Sequence, residues 1–114
     1  MSEVRLCQLT ISTSGLRLSI LENAEEVAHL FIYFLRNDLH AQPFALAEDL
    51  YVVEWARGKG YGSKLLEHAS DLARRHGCYK IIGTIRHSRA DLHSYYADRG
   101  WHNHGICVRI DFEQ

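Results

Sequence analysis

The chain has 114 residues, 46% of them hydrophobic and 24% charged, and carries a formal net charge of −1. That length holds one domain, residues 1–114, of ordinary globular composition. The near-zero charge offers no general attraction to nucleic acid or to an anionic membrane surface, and no apolar run approaches the roughly 20 residues of a membrane span.

Residues 4–11 and 15–21 alternate apolar with polar side chains, as half-buried strands do, around a turn signal at residues 12–15. Residues 1–9 lack the continuous apolar core of a signal peptide. Glu22-Asn23-Ala24-Glu25 is a second turn, and residues 27–35, the most hydrophobic stretch, are predicted to be a central strand. Residues 37–43 form a polar connection whose lone proline, Pro43, argues against strand continuing through it. Residues 44–53 are the fourth predicted strand. In residues 63–76, Leu65, Leu66, Ala69, Leu72 and Ala73 recur at helical spacing, and Gly77 stands where a left-handed helix stop belongs. Residues 79–85 are a fifth strand. Ser88 is placed as an N-cap with Asp91 at the third helical position, opening a helix that ends at Gly100. Residues 106–112 alternate again and close the sheet. The order ββββαβαβ predicts an α+β fold, a mixed and mostly antiparallel central sheet flanked by helices. Cys7, Cys78 and Cys107 cannot all pair and their spacing is no disulfide framework, so reduced thiols of a cytoplasmic protein are predicted.

The junction at residues 57–62, Arg-Gly-Lys-Gly-Tyr-Gly, lies between a predicted strand and a predicted helix. Glycines on alternate positions leave backbone N–H groups unshielded, and the helix that follows turns its positive dipole end toward them. Arg57 and Lys59 add two positive charges at the same place. The product is a cradle for a phosphate or pyrophosphate. It is not a nucleotide-kinase P-loop, since no Gly-Lys-Ser/Thr follows at the required spacing, nor a dinucleotide fingerprint, which needs G-x-G-x-x-G. A turn that uses glycine only for positive φ is the plainer alternative.

Glu48-Asp49-Leu50-Tyr51-Val52, followed after a short step by the R-x-x-G-x-G of Arg57 to Gly62, resembles the acyl-CoA-binding motif of the GNAT superfamily of N-acyltransferases. A second block, residues 88–101, resembles the family's late helix, in which a tyrosine stands four residues before a Gly-aromatic pair. Here these are Tyr96 and Gly100-Trp101. Arg89 occupies the place usually held by an asparagine. The resemblance runs over residues 44–101 and implies a GNAT-like fold with acetyl-CoA as cosubstrate and an amine as acceptor. It assigns cofactor binding to Leu50, Tyr51, Val52 and Val53 on the strand, to Arg57, Gly58, Lys59, Gly60, Tyr61, Gly62 and Ser63 in the turn, and to Arg89. It makes Tyr96 the general acid and Glu48 the leading base, with Glu54 and water chains behind it.

The chemistry of a thioester meeting an amine needs three things. An ammonium must lose a proton before it attacks, and the tetrahedral oxyanion needs fixed donors, which N–H groups around Val52 supply if the strand splays there. The leaving thiolate gains from a proton donor, and a phenol of pKa about 10 suits a thiol. Bland readings stand beside each assignment. Tyr95 and Tyr96 point about 100° apart on a helix, so either can be a core side chain. Glu48-Asp49 can be a solvated edge, and Arg89 an ordinary first-turn arginine or a 3′-phosphate contact. No metal site is predicted: alternation puts His102 and His104 on one face and Cys107 on the other. Cys78 follows the helix stop at Gly77, far from the glycine turn, which argues against an acyl-carrying thiol.

Family members of ordinary size place a strand and two helices ahead of this sheet, and those helices wall the acceptor pocket. Little more than one strand and a hairpin does so here. The acceptor site is therefore expected to be more open, or completed by another subunit in a homodimer. The function predicted is N-acetyl transfer to a primary amine. The alternative is a non-catalytic acyl-CoA-binding or oligomerising module of the same fold.

Overall fold

The computed structural model describes residues 3–11, 13–84 and 90–112. The chain divides into two compact units, Met1–Gly83 and Thr84–Gln114. The first holds strands β1 (Thr13–Glu22), β2 (Glu25–Leu35) and β3 (Phe44–Val52), a 3-10 turn (Glu54–Ala56), helix α1 (Tyr61–Arg75) and strand β4 (Ile81–Gly83). The second holds helix α2 (Ala90–Ala97).

The sheet order is β1-β2-β3-β4, antiparallel between β1, β2 and β3 and parallel between β3 and β4. β1 and β2 are joined by the tightest connection a hairpin allows. Asn23 and Ala24 both take positive φ, 50° and 67°, the conformation of a type I′ turn whose twist matches the strands. Asparagine tolerates that region, but alanine does so at a cost.

Alternation in β2 sorts its side chains. Ala28, Leu30, Ile32 and Phe34 are buried, while His29, Phe31 and Tyr33 on the other face are more open. Opposite them Ala45 and Ala47 of β3 pair with Phe34 and Ile32. α1 lays its buried stripe of Leu65, Leu66, Ala69 and Ala73 over this floor, packing mainly on β2 and β3. Alanines on both elements let helix and sheet approach closely, and each fully buried Leu or Ile contributes about 1.5–3 kcal/mol. Gly77 closes α1. Its φ is 74°, and the N–H groups of Gly77 and Cys78 donate to the carbonyls of Arg74 and Ala73. That is the double bond of a Schellman stop.

Three expectations need correction. Residues 4–11 and 106–112 form no strand. Val4, Leu6 and Leu9 at one end and Ile106, Val108, Ile110 and Phe112 at the other are exposed, and among the described residues no neighbour takes up their backbone ladder. Alternation licensed a strand there, but a strand exists only with a partner. The turn signal at residues 12–15 is mostly strand instead, since β1 begins at Thr13. Ser88 and Arg89 lie outside the described residues.

Candidate active site

β3 does not stay regular. Phe31 pairs with Glu48 and His29 with Tyr51, so Asp49 and Leu50 together oppose the single residue Leu30. This is a β-bulge, and Asp49 sits in it at φ 56°. Past the bulge the β4 side of β3 changes. Among the described residues β4 pairs only with Ala45, Leu46 and Ala47, leaving Glu48 to Val52 without it. The backbone N–H of Val53 donates to Val27 of β2 at 2.9 Å, so by alternation the N–H and C=O of Val52 face the opposite edge. The Val52 carbonyl is used there, accepting from Nε of Arg57 at 2.9 Å. The bulge at Asp49 and Leu50 thus interrupts β3 just before Val52, the place at which a splayed strand was expected to supply oxyanion donors.

The chain then tightens into the 3-10 turn, anchored by the wholly buried Ala56. Gly58 and Gly60 follow at φ 83° and 84°. A Cβ built at either would meet nothing within 4 Å, so open space lies beside the turn and backbone conformation demands glycine there. Gly60 is the N-cap of α1 and supplies no side-chain cap; the first intrahelical bond runs from Lys64 N–H to Gly60 C=O at 3.1 Å. The N–H groups of Tyr61 and Gly62 therefore precede any intrahelical acceptor, and no acidic side chain occupies that first turn. Donors, positive dipole and open space coincide, which suits a pyrophosphate.

The two cations predicted to serve this cradle are both engaged with the protein. Arg57 holds Val52 and stacks 5.7 Å from the Tyr51 ring centre. Lys59 lies 5.3 Å from the Trp55 ring centre, and its Nζ is 3.3 Å from Oε2 of Glu22. The Tyr61 hydroxyl donates to the same oxygen at 2.7 Å. That bond, with smaller help from Lys59, holds the Glu22 carboxyl below its usual range and pushes the Tyr61 phenol up. Glu22, 37 residues before Lys59, was invisible as a site residue. No local motif contains it, and only the β1–β2 hairpin brings it to the turn.

Glu48 lies exposed on β3 beside the bulge, paired with Phe31. In the second unit the four-residue spacing from Tyr96 to Gly100 has a geometric reason. Gly100 takes φ 87°, the Gly100 N–H donates to Ala97 and the Trp101 N–H to Tyr96. This is a second Schellman stop, with Tyr96 and Trp101 in the positions whose side chains meet across it, rings 5.4 Å apart. Burial, and then Tyr95 beside it, pushes the Tyr96 phenol above its ordinary 10.0, so it holds its proton at neutral pH. Burial likewise raises the Cys78 thiol, away from the reactive thiolate. Among the described residues no group of three or more His, Cys, Asp or Glu could hold a metal ion.

The acetyltransferase (GNAT) family model matches residues 4–101. The chain belongs to that family. It is 34% identical over 65 residues to a probable glucosamine 6-phosphate N-acetyltransferase 2 of Oryza sativa subsp. japonica, covering 57% of this chain and 37% of that one. It is also 34% identical over 64 residues to an uncharacterized N-acetyltransferase, YhdJ, of Bacillus subtilis, covering 56% of this chain and 45% of that one. The chain thus spans less than half the length of these curated relatives. The GNAT fold is shared with the glucosamine-6-phosphate N-acetyltransferase of Arabidopsis thaliana, at a TM-score of 0.79 and 24% identity over 87% of this chain and 67% of that one. A transcriptional regulator from Bacillus halodurans C-125 superposes at 0.81 and 24% identity, over 86% and 66%.

Proposed function

We propose that this GNAT chain transfers an acetyl group from acetyl-CoA to a primary amine by direct attack in a ternary complex. The observation that carries the reading is the half of β3, Glu48 to Val52, that β4 leaves unpaired among the described residues, running into a glycine turn that ends on a helix N-terminus. An extended thioester arm suits the former, and a pyrophosphate the latter. The cosubstrate supplies an electrophilic thioester carbonyl. Glu48, directly or through water, takes a proton from the ammonium so that nitrogen can attack. The Val52 N–H holds the negative charge that develops on the carbonyl oxygen. Tyr96 gives its proton to the departing sulfur. Its raised pKa supports this role, because the donor must still carry its proton when the bond breaks. The thiols of Cys7, Cys78 and Cys107 are unpaired, in keeping with a reducing cytoplasmic location.

The test is release of free CoA thiol from acetyl-CoA across a panel of primary amines, with glucosamine 6-phosphate included because two relatives carry that name. Amine-dependent thiol release is expected. CoA binding with no release for any amine would favour a non-catalytic acyl-CoA-binding module.

A further inference from the structure

The glycine turn is tied down from outside itself. Gly58 and Gly60 are the residues of greatest backbone freedom in the turn, and Gly60 caps α1 without a side-chain bond. Such a turn has more backbone freedom to lose when a ligand arrives, at the expense of affinity. Lys59 and Tyr61, the two residues flanking Gly60, both reach one oxygen of Glu22, at 3.3 Å and 2.7 Å. Glu22 is itself held, being the last residue of β1 and paired with Glu25 across the type I′ turn. A rigid hairpin therefore grips the turn on either side of its most pliable residue.

We propose that Glu22 is a positioning residue, which through Lys59 and Tyr61 pre-organises the glycine turn for the pyrophosphate of CoA. This rests on the acetyl-CoA reading above. Charge and position act with opposite signs here. As a bare charge, a carboxylate near an anion site weakens binding, so its removal would tighten it. As a tether, it strengthens binding. Glu22 is partly exposed, with 27% of its side chain accessible, so water screens the repulsion while the hydrogen bond to Tyr61 keeps its geometry. The tether dominates.

Titration calorimetry with CoA on wild type, Glu22→Ala, Glu22→Gln, Tyr61→Phe and the Glu22→Ala/Tyr61→Phe pair separates these effects. Glu22→Ala is expected to weaken CoA binding about tenfold, the size of a lost charge-assisted contact. Glu22→Gln keeps an acceptor for the Tyr61 hydroxyl and is expected to stay within about threefold of wild type, the net size of one weakened hydrogen bond. Tyr61→Phe added to Glu22→Ala should cost nothing further, because the two act through one bond. Unchanged or tighter binding by Glu22→Ala, or additive losses in the pair, would overturn the tether. Amide hydrogen exchange of residues 58–62 without any ligand supplies a second reading. Faster exchange in Glu22→Ala than in wild type supports the tether even if wild type binds no CoA, an outcome that would sink only the cofactor reading. Equal exchange rates would overturn the tether itself.

Discussion

Tyr96 shows how a single side chain is placed by backbone punctuation. Gly100 must take positive φ to end α2, and that stop aligns Tyr96 with Trp101 across it. Its hydroxyl is the one atom that Tyr96→Phe removes, and the ring packing stays. If Tyr96 is the general acid, Tyr96→Phe leaves CoA affinity within error and lowers turnover about 10²-fold or more. Steady-state kinetics beside calorimetry checks both halves. Unchanged turnover would move the proton donor elsewhere, with Tyr95 next. Glu26 makes a different residue-scale statement. It accepts from Arg17 Nε at 3.0 Å and from Ser19, and the Arg17 bond chiefly lowers its pKa from 4.5 to about 2. A depressed carboxyl stabilises the fold above its unfolded pKa, and that contribution fades as pH falls from about 4.5 to about 2. Glu26→Gln is expected to remove this part of the acid slope in denaturation curves. An identical slope in both proteins would show the ion pair to be idle.

At the scale of elements, the β1–β2 hairpin carries one visible flaw. Ala24 stands at φ 67°, where an L side chain costs roughly 1–2 kcal/mol, and glycine stands there freely. Ala24→Gly is expected to raise stability by about 0.5 kcal/mol once the extra freedom of glycine in the unfolded chain is deducted. A loss of stability on urea titration would contradict the turn geometry. The hairpin, the central strand at residues 27–35, α1 and its stop at Gly77 were all legible, because alternation, helical spacing and a stop glycine are local signals. The bulge at Asp49 was not legible. It depends on how β2 and β3 register, and Glu48-Asp49-Leu50 reads as plain strand. The same blindness produced the false strands at residues 4–11 and 106–112, whose alternation is real but whose partners no local pattern can supply. In the candidate site the glycine turn was readable as a motif. The engagement of Arg57 with Val52 and of Lys59 with Glu22 was not, since each needs a folded neighbour.

For the whole molecule, the exposed apolar residues Ile106, Val108, Ile110 and Phe112 raise the matter of assembly. Val108 and Phe112 are 84% and 93% exposed, and Arg109 and Asp111 between them pair with each other at 2.7 Å. A row of apolar side chains on alternate positions is strand-ready, and a second copy is the commonest partner for such a row. The expected result of light scattering at micromolar concentration is a mass near twice 13.1 kDa, and a fully active species at 13.1 kDa would remove the dimer. The central claim is that the glycine turn receives the pyrophosphate of CoA, and one measurement tests it most directly. CoA is titrated calorimetrically into wild type and into Gly60→Asp. At φ 84° aspartate is strained, though less than most other side chains, so circular dichroism first establishes that the variant is folded; its carboxylate would then stand against the phosphates. Saturable binding by wild type and none by folded Gly60→Asp is the expected result. Equal affinity in the two proteins would contradict the site.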